Sequence, residues 1–462
     1  MLKDIITKDF EINKDILLNS FSETIKSIKQ KAFDNFCLMG FPHNKLENWR
    51  FTDISKIIEN SYNHYLNPST EIIDIEKLFQ CEFPEMDTYT VIQFNGWFLS
   101  RTSDISVLDN GTIIGSLNKA MKVYPDIVEK YFAQNTDIEN EALQALNTAY
   151  AQDGIFIYVP DNVIIDKPIQ IINIIDAQEN VITHPRNLFI TGKNSKLTIV
   201  HCDHSVNHRL SFINSVTEIF MDENAHVDHY KMQNKDSDSA LFTTINAKLE
   251  KDARLSTNTL ILNGGLIRNS INVKLNGKNA DADLKGLYLV DRKQHVDNQI
   301  FVDHASSHCS SNQLYKGIID DDARAVFNGR ILVRRDAQKT NAYQSNNNIL
   351  LTDTAQVNSQ PQLEIYADDV RCSHGSTVGQ LDPEAMFYLR SRGICEHSAR
   401  MLLMYAFASE VVDKIAIEAL RNRLDNMVSK RLKGELSICD QCMLNCKEKA
   451  PSFLNMDFKP IV

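Results

Sequence analysis

A short pattern recurs through the middle of the chain and limits what it can fold into. A turn residue and any residue precede a small residue, and after one more position an apolar residue opens a β-rich run. The small positions are Ser195, Ala225, Ala253, Ala280, Ala323 and Ala355, at spacings of 30, 28, 27, 43 and 32. Repeats of that length mark stacked architectures, because one unit cannot bury its apolar face without its neighbours. The small residue suits a corner where the backbone turns tightly against the coil below. The runs themselves, such as Ile155-Phe156-Ile157-Tyr158-Val159 and Ile169-Gln170-Ile171-Ile172, are β-branched and aromatic. The expectation is a mainly β protein with a β-helix core of about seven coils over 151–378. The plain alternative is an antiparallel sandwich with evenly spaced hairpins.

Helical modules flank that core. Leu18, Phe21, Ile25, Ile28, Ala32 and Phe36 fall on one helical stripe, ended by Phe41-Pro42. A second helix is expected over Asp137 to Tyr150, stopped by Asp153-Gly154, so 1–150 reads as a mainly helical N-terminal region. The stretch 60–135 mixes short strand-like runs with polar segments. After residue 380, Asp382-Pro383 is an N-cap followed by proline at the first helical position, with Gly393 placed to end the helix. Met401, Met404, Tyr405, Ala408, Val411, Val412, Ile415 and Ala419 give the next helix a broad apolar face, for docking on the body or holding a partner. The C-terminal helical module is set at 379–430 and a cysteine-containing tail at 431–462.

The 462 residues allow about three domains or one elongated body. Lys+Arg 49 against Asp+Glu 60 leaves a net charge of −11, which sets the surface against phosphate backbones and speaks against a nucleic-acid role. No apolar run approaches the ~20 residues of a membrane span, and the opening Met-Leu-Lys-Asp-Ile-Ile lacks the marks of a secretory signal. Nine scattered cysteines read as reduced thiols, so a cytoplasmic protein without membrane contact is expected.

Phosphate loop, nucleophile elbow and zincin motifs are missing, and Asn263-Gly264-Gly265 reads as a turn. The most informative cluster is Val370-Arg371-Cys372-Ser373-His374-Gly375. Residues two apart on a strand share a face, which sets the Cys372 thiol beside the His374 imidazole. That pair suits metal ligation or sulfur chemistry in which histidine assists a thiolate; the plain alternative is a buried cysteine and a hydrogen-bonded histidine at a strand end. Cys439, Cys442 and Cys446 have C-x2-C-x3-C spacing, enough for three metal bonds but one short of a closed zinc site. A mobile tail with adventitious thiols is the alternative there. His201, Cys202, Asp203 and His204, with His208, His226 and His229, resemble a ligand cluster; aligning the repeat sets His201 over Lys231 and His229 over Ile199, which scatters the imidazoles. His304, His308 and Cys309 lie on a Ser-rich segment, and Arg334-Arg335 with Lys339 forms a small basic, solvated patch.

The run Gly329-Arg330-Ile331-Leu332-Val333, then Ala337-Gln338-Lys339-Thr340, Asn341 to Asn346 and Leu350-Leu351, resembles the SufB/SufD family of iron–sulfur cluster assembly proteins. So do Pro361 to Ile365, Asp368 to Gly375, Phe387 to Ile394, the Glu47-Asn48-Trp49-Arg50-Phe51-Thr52 segment, and Asp153-Gly154 with Val159-Pro160. The likeness covers about 30–420, and the Cys-Ser-His-Gly form points to the SufD branch, since SufB carries a Glu-containing version. The resemblance implies a right-handed parallel β-helix and a non-catalytic scaffold without a stably bound cofactor of its own. It further implies a SufB-like paralogue that shares a nascent iron–sulfur cluster at a common interface, and a SufC-like ATPase docked on the C-terminal helices. It puts the SufD-side interface histidine on His374 and the neighbouring cysteine on Cys372. Whether the chain pairs with itself when SufB is absent stays open. The tail cysteines depart from the family pattern. Two other classes are weighed: a β-helix polysaccharide-active enzyme, for which Asp320-Asp321-Asp322 would be the acidic trio, and a stand-alone iron–sulfur carrier using Cys439, Cys442 and Cys446.

Overall fold

The computed structural model describes residues 2–68, 86–100, 103–205 and 209–434. From Ile155 the chain winds into a parallel β-solenoid of about eight turns, one more than the repeat suggests. Successive strands alternate between two sheets. One runs through Ile155–Val159, Arg186–Thr191, Ser211–Met221, Ser239–Leu249, Leu266–Leu275, His295–His304, Arg324–Val333 and Gln356–Ile365. The other runs through Tyr89–Phe94, Ile169–Ile175, Lys196–Ser205, His226–Asn234, Arg254–Asn263, Asp281–Val290, Ser310–Ile319, Asn341–Leu350 and Arg371–Gly379. This excludes the antiparallel sandwich.

The corners explain the repeat. Ahead of six strands of the second sheet, from Lys196–Ser205 to Asn341–Leu350, one residue takes a left-handed backbone conformation: Asn194, Asn224, Asp252, Asn279, His308 and Lys339. Asn and Asp tolerate that region better than other residues with a Cβ. Their side chains also form a ladder, with Asn194 Nδ2 donating to Asn162 Oδ1 and Asn224 Nδ2 to Asn194 Oδ1, both at 2.9 Å. The buried small residue follows at once: Ser195, Ala225, Ala253, Ala280, then Cys309 and Thr340. Ala323 and Ala355 occupy the opposite corner, ahead of strands of the first sheet. The 43-residue interval was therefore a jump between corners.

Inside the solenoid, Ile171, Leu197, Ile199, Val227, Leu255, Leu284, Ile219 and Val273 belong to one apolar core. Helices cover the outer faces. The N-terminal helices Leu2–Ile12 and Glu23–Met39 pack with Ala142–Tyr150 against Phe212, Ala240 and Phe242 of the first sheet. The stripe read from the sequence holds for Ile25, Ala32 and Phe36, but Ser22 caps the helix, so Leu18 and Phe21 precede it. The expected helix over 137–150 begins only at Ala142, because Asp137 Oδ1 accepts from the backbones of Glu139 and Asn140 and holds a turn. Gly154 is obligatory where the helix gives way to the first coil: a Cβ there would sit 1.6 Å from the Arg186 carbonyl oxygen.

At the C-terminus, the Asp382 side chain accepts from the Glu384 and Ala385 amides, Pro383 opens the helix Pro383–Ser391, and Gly393 takes φ +86° just after it. The apolar face of Glu396–Val412 docks on the body: Met404, Ala408, Val411 and Val412, with the following Ile415, pack on Val200, Met232, Leu260 and Leu287 of the second sheet. The last helix, Glu418–Leu432, is pinned by Arg431, whose Nε donates to the Leu262 carbonyl at 2.6 Å and whose guanidinium pairs with Asp291 at 2.7 Å.

Candidate functional site

The solenoid's two last strands, Gln356–Ile365 and Arg371–Gly379, each have a neighbour on one side only, so each leaves one backbone edge unpaired among the described residues. Cys372 and His374 stand on the second of these. The strand pairs without a register shift, setting Cys372 over Ala342, His374 over Gln344 and Ser376 over Asn346. Ala342, Gln344 and Asn346 face the buried interior. In-register residues of a parallel sheet point the same way, so Cys372, His374 and Ser376 face the mouth of the solenoid lumen. Ser376 fixes that direction: its Oγ donates across the lumen to Ser359 Oγ of the other sheet at 2.8 Å. Thiol and imidazole thus share one face with Cα atoms roughly 6.6 Å apart, as the two-residue period requires.

The alternative of a buried cysteine and a hydrogen-bonded histidine at a strand end fits less well. His374 is exposed and Cys372 half-exposed at the open mouth. Burial pushes the Cys372 thiol above its ordinary value, against the lesser pull of the Ala342 backbone.

A polar floor lies beneath the pair. Ser359 Oγ donates to Asn346 Oδ1 at 2.7 Å, Asn346 Nδ2 donates to the Tyr288 hydroxyl at 3.0 Å, and that hydroxyl donates to Asn348 Oδ1 at 2.5 Å. Directly below His374, Gln344 Nε2 donates to Gln313 Oε1 at 2.6 Å. Ser359, Ser376 and Gln344 were not singled out from the sequence. Only the coil-to-coil register, which needs the corners placed, brings them together.

The remaining candidates separate. Cys439, Cys442, Cys446 and His208 lie outside the described residues. His201 does pair with Lys231 and His229 with Ile199, yet the His201 and His229 rings are 5.8 Å apart inside the lumen and so are not scattered. Burial holds both imidazoles well below their ordinary value. Among the described residues no group of three or more His, Cys, Asp or Glu side chains could hold a metal ion. His304 is buried against Ser311, and Cys309 is a corner residue. The basic patch is paired: Arg334 with Asp303 and Lys339 with Asp369. Asp321 sits in a turn, where its carboxylate accepts from the Arg292 amide at 3.0 Å.

A second surface stands out near the site. The helix Pro383–Ser391 buries none of its residues, and Phe387 and Tyr388 are 74% and 57% exposed. Among the described residues, no helix is long and apolar enough to cross a membrane.

Comparison with known proteins agrees with this architecture. The chain matches the SUF system FeS cluster assembly SufBD core domain over 173–407 and the SufBD protein N-terminal region over 3–171. It is 30% identical to an iron–sulfur cluster assembly SufBD family protein of Synechocystis over 438 residues, 92% of this chain and 96% of that protein. It is also 30% identical to the iron–sulfur cluster assembly protein SufD of Escherichia coli over 408 residues, covering 88% and 92% of the two chains. SufD of Bacillus subtilis is 26% identical over 434 residues, covering 90% of this chain and 97% of its own. With the solenoid matched from residue 173 onward by the core domain, and the first coil and the module before it by the N-terminal region, this chain is a member of the SufBD family of iron–sulfur cluster assembly proteins.

Proposed function

We propose that this chain is the SufD-type half of a scaffold on which a SufB-like paralogue and a SufC-like ATPase assemble iron–sulfur clusters. The observation that carries the reading is the placement of Cys372 and His374 together on the last, half-paired strand, facing the open lumen. Two free parallel edges side by side accept strand addition from another solenoid of equal coil spacing, which would continue both sheets. The nascent cluster is cargo, formed where the two ends meet. There His374 serves as a nitrogen ligand or proton carrier. The Cys372 thiol becomes a thiolate when iron offsets the burial that keeps it protonated.

Energy enters from the partner. The exposed Phe387 and Tyr388 on Pro383–Ser391 offer an apolar docking face for the ATPase. The module is tied to the second sheet through Arg431 and through Arg400, which donates to the Leu351 carbonyl at 3.3 Å. A pull on these helices would therefore be passed to the strands that lead to the site.

The test is cluster assembly by the complex co-expressed with SufB and SufC, scored as bound iron and sulfide. His374→Ala should lower both at least tenfold while the subunits still co-purify, and Cys372→Ser should lower them less. Undiminished iron and sulfide in His374→Ala would refute the site assignment. Retention of the ATPase by Phe387→Glu with Tyr388→Glu would refute the docking assignment.

A further inference from the structure

The N-terminal end of the solenoid holds a cleft that the scaffold reading does not use. The two-residue strand Asn63–His64 lies parallel to Val181–Thr183, with His64 beside Ile182. This brings His64, Thr183 and His184 to one cleft of about 300 Å³, whose wall also includes Tyr65, Leu66 and Trp97. The His64 ring stacks on Tyr150 at 4.5 Å and lies 5.5 Å from the His184 ring. The His64 side chain is 7% exposed, and His184 and Thr183 are 8% and 4% exposed. Yet His64 Nε2, His184 Nε2 and Thr183 Oγ1 have no hydrogen-bond partner among the described residues. Three such atoms left dry in one place are destabilising, so the cleft calls for a guest that satisfies them.

The other ring nitrogens fix what each imidazole offers. His64 Nδ1 lies 3.0 Å from the Asp9 carboxylate and donates to it, which in the neutral ring leaves Nε2 as an acceptor. Asn214 Nδ2 donates to the Leu143 carbonyl at 2.8 Å and to His184 Nδ1 at 3.4 Å, so the His184 proton sits on Nε2. A metal ion does not suit this pair, because that proton occupies the nitrogen that would ligate. Nor does a charged guest find a counter-ion. Burial, followed by the neighbouring His64 and Lys29, holds His184 well below its ordinary value and so neutral. The Asp153 carboxylate on the wall is taken up by Ser116 Oγ at 2.7 Å and by the amides of Phe98 and Asn118 at 3.0 Å.

We propose that this cleft binds a small neutral hydroxyl compound with a flat apolar body, a simple phenol in class, whose hydroxyl donates to His64 Nε2 and accepts from His184 Nε2 and Thr183 Oγ1. A hydroxyl carries one proton and two lone pairs, the complement of that wall. The cleft admits the centre of a water-sized group over only about 20 Å³, so it encloses the hydroxyl while the body lies against Tyr65, Leu66 and Trp97. These flat faces favour a ring over a flexible chain. Trp97 is fixed in place, its Nε1 donating to the Tyr65 carbonyl at 2.8 Å. Asp9 belongs to the helix Leu2–Ile12 and His184 follows the strand Val181–Thr183, so an occupant ties the N-terminal module to the solenoid. The site uses neither Cys372 nor His374 and stands or falls apart from the cluster-assembly reading.

The experiment titrates the full-length chain with para-fluorophenol and follows the ligand by fluorine NMR. Saturable binding at one site is expected, with a Kd on the order of 1 mM. Para-fluoroanisole, which has the same ring and no proton to donate, should bind at least fivefold more weakly. Thr183→Val, which keeps the side-chain shape and loses the hydroxyl, should weaken para-fluorophenol at least threefold, and His184→Phe should abolish its binding. Equal affinity for the two probes would overturn the proposal in favour of a merely apolar cleft. Lack of saturable binding would overturn it and leave water as the occupant, and undiminished binding in either variant would place the ligand elsewhere.

Discussion

Gly317 lies beneath the ring of Tyr288: a Cβ at that glycine would stand 2.1 Å from Tyr288 Cε2 and 2.6 Å from Asn348 Oδ1. The contact holds the hydroxyl that links Asn346 and Asn348, and so the floor under Cys372 and His374. Gly286 bears the same relation to Tyr315, with 2.3 Å to its Cε1. Gly317→Ala should therefore cost about 1–3 kcal/mol through overpacking and lower cluster assembly without abolishing it. Urea unfolding and bound iron would check this; an unchanged midpoint would show that the lumen has slack.

Acid should destabilise the solenoid through its buried imidazoles. Burial holds His304 and His204 down to about 4 and His201 to about 3, and keeps His184 and His229 well below their ordinary value of 6.5. The folded state keeps these rings neutral while the unfolded chain takes up protons below 6.5. Their stabilisation is full above that pH and is lost as pH falls toward 4. His304 alone contributes on the order of 2–3 kcal/mol of that loss. A urea midpoint that stays flat between pH 7 and 4.5 would contradict this.

Lys29 works in the opposite range. Its ammonium is buried, donates to the Ala151 carbonyl, and lies over the Phe21 ring at 4.8 Å. Burial, with the Arg186 charge adding to it, lowers its pKa from 10.5 to about 7. The unfolded chain is protonated first, so stability is lost as pH falls from 10.5 to about 7 and no further below that. Lys29→Met should raise the unfolding free energy at pH 7 by about 1–3 kcal/mol, within the range seen when buried charges are replaced by apolar groups. It should also flatten the dependence between pH 7 and 10. Equal slopes in the two proteins would dismiss the effect.

The Glu47-to-Thr52 segment is latched to the solenoid by one cation. Arg268 lies 3.9 Å over the Trp49 ring, donates to the Asn48 carbonyl at 2.8 Å and pairs with the buried Asp297. Thr52 Oγ1 donates to the same carboxylate at 2.5 Å. Arg268→Met should cost about 3–5 kcal/mol by stranding Asp297 and expose the segment to proteolysis near Trp49. The double variant Arg268→Met, Asp297→Leu should recover part of the loss. Unaltered cleavage kinetics in the single variant would sever the latch from the stability of this region.

The solenoid was legible because its corners carry a local signature: a residue tolerant of left-handed backbone, then a small buried one. The reading slipped where chemistry varied under constant geometry. Cys309 and Thr340 fill the position that Ala225 and Ala253 fill, whereas the next alanine of similar pattern, Ala323, belongs to the other corner. Cys372 and His374 could be set side by side from the strand period alone. That they face the lumen mouth above Gln344 depends on pairing between strands 30 residues apart, which local pattern does not encode. The broad face of Glu396–Val412 was visible as apolar, but only packing shows that it is spent on the second sheet, leaving Phe387 and Tyr388 of the preceding helix as the bare aromatic pair.

The two ends of the solenoid are unlike. At the N-terminal end both sheets finish in antiparallel strands, Trp97–Leu99 in one and Ile105–Val107 with Ile113–Ser116 in the other, while the far end finishes in parallel strands with bare edges. The outermost antiparallel strands are edges too, but only three residues long each, a poorer template for strand addition than the ten- and nine-residue parallel edges at the far end. Were the chain to pair through its long edges as proposed, the mismatch in length and direction between its two ends would disfavour a third body and hence fibre growth.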